Sequence, residues 1–574
     1  MTAIETSAYR LELLPGGVRA RLESPAGEHL LTLSLLAALD HADAPDETVA
    51  VAPARVDGRM IELERTSTVW ERASVTIECG DESLEVRTWV DGRGDLADVH
   101  LLGGRSLLAG SGTGFYPTGS SFRTLFSPNP GDPAKLVRSS GETAVIGVSG
   151  DGGLGRGHWF FTPAPLYLAL THAEVTDPAE PAEGGWLGVG LAAPVADLDF
   201  VQLVYQAGDL AFNLVLEYEG HTHVDGRFDA PAVILTPAVR DPYVGLRAHR
   251  DDLAARAAVP VPEPRTRPAW WSEPMFCGWG AQCRLATGTR RHAKDLATQE
   301  SYDTFLAVLE RHGLAPGTIV IDDKWQDSYG TNRADTAKWP DLRGWIERRH
   351  EAGQHVLLWW KAWDTEGVDP ELCIRRSDGT PVAVDPTNPA AREALAESIA
   401  HMLGRDGIDA DGLKVDFTAR TPSGRALTAH GEGWGIALLH ELLAVVYAAA
   451  KDANPEALVI THIPHPGFAD VTDMVRLNDM LRIDDPRPMP PVVPQMRFRA
   501  AVVHSAVPEL LVDTDDWAVP DKATWREYLE LKPELGVPSL YYATEVDLDG
   551  ELLEEDDYAA IRRTWARWRE QVAR

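Results

Sequence analysis

Cysteine is scarce in this chain of 574 residues: there are four, Cys79, Cys277, Cys283 and Cys373. They form no CxxC pair and no metal-ligand spacing, so neither a disulfide framework nor a cysteine-held metal is expected. Positive charge is also short. Lysine and arginine number 54 against 87 aspartates and glutamates, giving a formal net charge of −33. That balance argues against nucleic acid and anionic membrane surfaces as partners and favours a neutral ligand. No run of about 18 apolar residues occurs. The first residues, Met1-Thr2-Ala3-Ile4-Glu5-Thr6, lack the basic and then apolar pattern of a signal peptide. These absences predict a cytoplasmic protein with reduced thiols, acting on something small.

Aromatic and apolar residues are plentiful: 18 tryptophans and 44% hydrophobic content, enough for large cores. The length predicts two large domains. Residues 1–240 read as an antiparallel β-sandwich. Alternating runs such as Tyr9–Leu14, Ser74–Glu78, Leu84–Val90 and Phe200–Tyr205 are separated by turn signals such as Gly150–Gly153 and Asp225-Gly226. The Gly/Ser/Pro-rich stretch Leu102–Pro133 is expected to be a loop reaching toward the second domain. Residues 241–269 read as a helix, Tyr243–Ala258, and a proline-rich linker.

From 270 to 574 the rhythm becomes strand then helix, with eight candidate strands: Met275–Trp279, Thr318–Ile321, His355–Trp360, Gly412–Val415, Leu458–Thr461, Met474–Leu477, Glu509–Val512 and Ser539–Ala543. Helical stretches such as Ser301–His312, Ala390–Arg405 and Asp556–Val572 lie between or after them. Eight such units in about 300 residues predict a (β/α)8 TIM barrel, with no C-terminal β-domain.

Several of these strands end in acids, and in a barrel all such ends ring one mouth. The fourth ends in Lys414-Val415-Asp416. Residues i and i+2 of a strand share a face, so Lys414 is expected beside Asp416, holding it ionised as a nucleophile must be. The sixth ends in Arg476-Leu477-Asn478-Asp479. Two carboxylates across a mouth suit glycoside cleavage, Asp416 attacking the anomeric carbon and Asp479 protonating the leaving oxygen. Arg476 would orient Asp479, although a cation also lowers the pKa that an acid needs raised. Asp484, Asp485, Asp515 and Asp516 read as helix caps or solvated acids. His462 and His465 read as satisfied structural groups or hydrogen-bond partners of a sugar hydroxyl, not metal ligands. Lys361 is a candidate for a charged substituent such as a uronate, or for an ion pair with Asp364. Trp279, Trp359, Trp360 and Trp363 are candidates to stack on sugar faces or to pack the core.

The succession Asp-Asp-x-Trp, Lys-x-Asp and Arg-x-x-Asp behind an N-terminal β-rich region resembles the retaining α-galactosidase clan, with glycoside hydrolase family 36 nearest and families 27 and 31 more distant. The resemblance implies Asp416 as nucleophile and Asp479 as acid/base, with Asp484 as its rival. It implies that Asp322, Asp323 and Lys414 bind sugar hydroxyls with Trp325 nearby. The stretch Val384–Pro389 is also similar. Three features depart from the family: Thr461–Pro466 replaces a Gly/Ser/Cys-rich turn, the third strand ends in Trp-Lys-Ala-Trp, and the C-terminal β-domain is missing. The first two leave the sugar open between galactose, glucose, arabinopyranose, N-acetylgalactosamine and a uronate. The expected substrate is a small carbohydrate, with no cofactor; a homo-oligomer is allowed. Two other classes stay open: a metal-dependent barrel hydrolase or lyase using Asp322, Asp416, His462, Asp479 and Asp513, and a sugar-binding protein without turnover.

Overall fold

The computed structural model describes residues 3–107, 114–131, 134–136, 141–147, 160–181, 183–260, 267–480, 491–546 and 550–574. The described elements between residues 3 and 239 are twenty strands and one short 3-10 helix, and the strands join into one network in which nearly all pairs are antiparallel. The expected antiparallel character is there, as one continuous network. Two long strands, Leu84–Leu101 and Ala211–Asp229, pair over most of their length and tie the network together. Leu84–Leu101 pairs with Arg72–Cys79 at its start and with Ala38–His41 near its end. The Asp225-Gly226 turn expected from sequence is instead interior to Ala211–Asp229. Gly226 lies opposite Gly92, and both have positive φ, 106° and 151°. Paired glycines let the backbone take a conformation that side chains disfavour without ending the strand. The proposed turn Gly150–Gly153 lies outside the described residues. The stretch Leu102–Pro133 is not a free loop where described: it contributes strands Gly103–Ser106, Gly114–Ser120 and Thr124–Phe126.

The helix Pro242–Ala255 follows, capped by Asp241, whose carboxylate accepts from the N–H of Tyr243 and Val244. Beyond it, eight parallel strands form a barrel: Met275–Cys277, Thr318–Ile321, His355–Lys361, Gly412–Asp416, Leu458–Thr461, Met474–Arg476, Leu511–Asp513 and Ser539–Leu540. Ser539–Leu540 pairs with the first strand, and a parallel bridge between Asp513 and Val537 closes the ring. Runs such as Thr-Ile-Val-Ile and Leu-Val-Ile-Thr are buried at every position, as strands covered on both faces must be. The first strand stops at Cys277 rather than Trp279. Gln282 N–H bonds the Gly278 carbonyl at 2.8 Å and starts the helix Trp279–Ala286. A Cβ on Gly278 would lie 2.1 Å from the Tyr302 hydroxyl, so only glycine fits this tight exit.

The strand-rich region packs on the barrel. Glu219 accepts from Trp434 Nε1 at 3.1 Å and from Gly424 N–H at 2.7 Å, and the Phe126 ring meets Phe498 edge-on at 5.9 Å. The four cysteines are free thiols, and no described helix is long and apolar enough to cross a membrane.

Asp516 is not a cap. It is wholly buried and paired with the equally buried Lys532 at 2.7 Å, while Asp521 caps the helix Lys522–Leu535. Removing one partner strands the other charge in the interior. Lys532→Met is therefore expected to cost about 3–5 kcal/mol, read as a lower urea midpoint. The double variant Asp516→Asn with Lys532→Met should recover much of that loss.

Candidate active site

The fourth strand carries Lys414 and Asp416 on one face, in register with Trp359 and Lys361 of the third strand. The expected shared face is therefore present, but the charge partners differ. Lys414 Nζ lies 2.6 Å from Asp322 at the end of the second strand, and both are buried. Cys277 Sγ adds a contact to Asp322 at 3.1 Å. This pair lines the barrel interior beneath Asp416 and does not bridge to it.

The cation that serves Asp416 is Arg476. Its guanidinium is buried and reaches three carboxylates: Asp416 at 3.2 Å, Asp479 at 3.1 Å and Asp515 at 2.8 Å. Asp416 also accepts from Phe417 N–H at 2.8 Å and from Trp359 Nε1 at 3.1 Å. Phe417 takes a left-handed φ of 61°. The side chains of Asp416 and Asp479 keep 27% and 36% of their surface, so both open onto the mouth while lying deep among protein atoms.

This environment drives the two acids apart. Burial would raise Asp416, but Arg476 first, then His462 and Lys414, outweigh it and hold the group down at about 2. For Asp479 burial is again the largest influence and Arg476 opposes it. Asp515 and Asp416 add negative charge, and the balance pushes the carboxyl up to about 7. The conflict posed by a cation next to the intended acid is thus resolved chiefly by burial, with Asp515 and Asp416 on the same guanidinium adding to it.

The remaining site residues separate into groups. Asp323 is half-buried, accepts from Tyr329 Oη at 2.7 Å, and is raised to about 6, chiefly by burial. Lys361 is paired with Asp364 at 2.6 Å and lies over the Tyr329 ring at 4.0 Å. The ion pair with Asp364 expected from sequence is present. His462 is buried, with Nε2 2.6 Å from Thr418 Oγ1 and 3.0 Å from Thr162 Oγ1. Burial and then Arg476 lower it to about 3, so its ring is neutral. His465 Nδ1 accepts from Gly467 N–H at 3.0 Å, a structural role.

Two tryptophans are not where a sugar would need them. Trp325 is fully buried and donates to the Trp359 carbonyl at 2.9 Å. Trp360 is buried and faces the helical layer, since alternate strand residues point opposite ways. Its neighbour Trp359 faces Asp416 instead. Trp279 is partly exposed, against Trp517 at 6.0 Å. Asp484 and Asp485 lie outside the described residues. Tyr329, Thr418 and Arg499 are not among the residues expected from sequence, and Asp515, expected as a cap or a solvated acid, is buried against Arg476. The position of Asp515 at a strand end beside Asp513 was the available signal.

Among the described residues no three His, Cys, Asp or Glu side chains converge to hold a metal ion. The four acids and one histidine expected for that role are divided: Asp322 goes to Lys414, Asp416 and Asp479 to Arg476, His462 to two threonines, and Asp513 to Ser539.

No protein-family model matches this chain, and no curated protein does. Solved structures do. The alpha-N-acetylgalactosaminidase NagBb from Bifidobacterium bifidum aligns over 100% of this chain and 93% of its own, with TM-score 0.65 and 13% identity. A GH31 family sulfoquinovosidase from E. rectale aligns over 98% and 82%, with TM-score 0.59 and 10% identity. TtGalA, an alpha-galactosidase from Thermus thermophilus, aligns over 86% and 98%, with TM-score 0.53 and 15% identity. At 10–15% identity the likeness is one of fold, a TIM barrel within a multidomain chain.

Proposed function

We propose that this protein is a retaining α-glycoside hydrolase, exo-acting on small glycosides and similar to α-galactosidases, with Asp416 as nucleophile and Asp479 as acid/base. The observation that carries the reading is the single guanidinium of Arg476 between two carboxylates whose pKa values lie on opposite sides of the ordinary range. Asp416 attacks the anomeric carbon as the glycosidic C–O bond breaks, and the Asp479 proton passes to the departing oxygen. Water then attacks the glycosyl ester and returns a proton to Asp479, releasing the sugar and the Asp416 carboxylate. Asp323 and the Asp322–Lys414 pair are suited to sugar hydroxyls. The clan relationship and the α preference rest on the sequence motifs, together with a fold shared with enzymes named for α-galactosides and N-acetylgalactosaminides.

The deciding experiment is a panel of aryl α- and β-glycosides of galactose, glucose, arabinopyranose, N-acetylgalactosamine, uronate and sulfoquinovose, with NMR of the first anomer released. Turnover of an α-glycoside with retained configuration is expected. Binding without turnover across the panel, or an inverted product, would reject the reading.

A pH dependence follows from the same two groups. The proton on Asp479 is lost as pH rises, so kcat/KM should fall above about pH 7. Asp416 stays ionised down to about pH 2, so no acidic limb from the nucleophile is expected between pH 4 and pH 6. A midpoint for the alkaline limb well below 6 would contradict the assignment of Asp479.

A further inference from the structure

The turn that carries Asp479 is held from below by a residue the reaction itself does not use. Arg499 lies on the helix Val492–Ala506 and is fully buried. Its Nη1 lies within hydrogen-bonding distance of three successive carbonyls, those of Leu477 at 2.7 Å, Asn478 at 2.8 Å and Asp479 at 2.8 Å. Three consecutive carbonyls can converge on one donor only if the chain curls sharply, and Asn478 supplies the curl with a left-handed φ of 69°. The other terminal nitrogen of the guanidinium, Nη2, donates to Gln495 Oε1 at 2.8 Å.

The strand-rich region closes the arrangement from the opposite side. The Phe160 ring lies 4.1 Å from the Arg499 guanidinium carbon, and the Phe160 carbonyl accepts from Asn478 Nδ2 at 2.7 Å. One residue of that region thus touches both the clamp and the turn.

We propose that Arg499, seated on Phe160, is a positioning residue that fixes the Asp479 carboxyl at the mouth of the barrel. The inference rests on the reading of Asp479 as acid/base. A planar guanidinium can serve several acceptors at fixed angles, whereas methionine serves none and lysine offers a single point of charge. Without the clamp the turn would lose its buried donors and could relax. Asp416 would be affected less, because Phe417 N–H and Trp359 Nε1 hold it from outside the clamped turn.

The test compares substrates of one sugar that differ only in their leaving group. A displaced acid hurts substrates that need protonation and spares those that do not. Arg499→Met is expected to lose about 100-fold in kcat/KM on a poor phenol leaving group, because a displacement near 1 Å costs on that order. On a dinitrophenyl glycoside it should lose less than about fivefold, since little acid assistance is needed there. Arg499→Lys should restore at least part of the difference. Phe160→Ala, which leaves the guanidinium in place, should show the same split at about tenfold. It also decides the matter if Arg499→Met does not fold. Equal losses on both substrates in a folded variant, or no loss in either, would overturn the proposal. Asp479→Ala run in parallel separates the two levels. If it shows no leaving-group split, the acid/base reading itself fails; if it does and neither the Arg499 nor the Phe160 variant does, only the clamp is wrong.

Discussion

Replacing Asp416 by alanine is expected to lower turnover of any α-glycoside substrate by about 10⁴-fold or more while leaving the protein folded. The size follows from chemistry, because without the carboxylate there is no group to form the glycosyl ester and the two-step route closes. The survival of the fold follows from Arg476. Deleting a partner of a buried cation normally strands the charge, but Arg476 keeps Asp515 at 2.8 Å and Asp479 at 3.1 Å. The variant also leaves a gap beneath the anomeric carbon. Azide should enter it and attack directly, giving a glycosyl azide of inverted configuration and restoring part of the rate on activated substrates. Asp416→Asn should be as inactive and less responsive to azide, because the amide fills the space. Wild-type turnover in either variant would remove Asp416 from the mechanism.

The barrel was legible because its signal is redundant. Apolar runs of about four residues recur, and their boundaries shift by only a few positions where local geometry intervenes. Trp279 illustrates the shift: the strand ends early because Gly278 must pass against Tyr302, a contact between residues 24 positions apart. In the strand-rich region the same reading mistook Asp225-Gly226 for a turn. A lone glycine after aspartate looks like a break until its cross-strand partner proves to be another glycine.

The site was legible as a set of residues but not as a set of pairs. Periodicity put Lys414 on the face of Asp416, and the register confirms that face. It could not say that the lysine side chain would cross to Asp322, two strands away around the ring. Nor could it say that Asp515 would complete the charge balance of Arg476. Acidic runs at strand ends resemble caps when read along the chain, and only the buried cations behind them, Arg476 and Lys532, make them otherwise. Trp360 failed for a simpler reason. Where two tryptophans are adjacent in a strand only one can face the mouth, and it is Trp359 that bonds Asp416.

Asp479→Ala should divide substrates by leaving group. Loss of general acid assistance costs about 10²–10⁴-fold, and that full loss is expected for phenyl or alkyl glycosides, whose leaving oxygen must be protonated. Dinitrophenyl glycosides, which depart as stable anions, should form the glycosyl ester at a rate near that of the wild type. Hydrolysis of that ester also needs Asp479, now as base, so the ester should accumulate and be detectable by mass spectrometry on the peptide containing Asp416. Azide, which needs no deprotonation, should speed its release and give an azide of retained configuration. The alkaline limb near pH 7 should vanish with the carboxyl that produces it. An equal loss on both substrate types, with the limb unchanged, would assign the proton to another acid. Asp484 is then the residue to replace: its alanine variant would have to show the split, the trapped ester and the azide response that Asp479→Ala lacked.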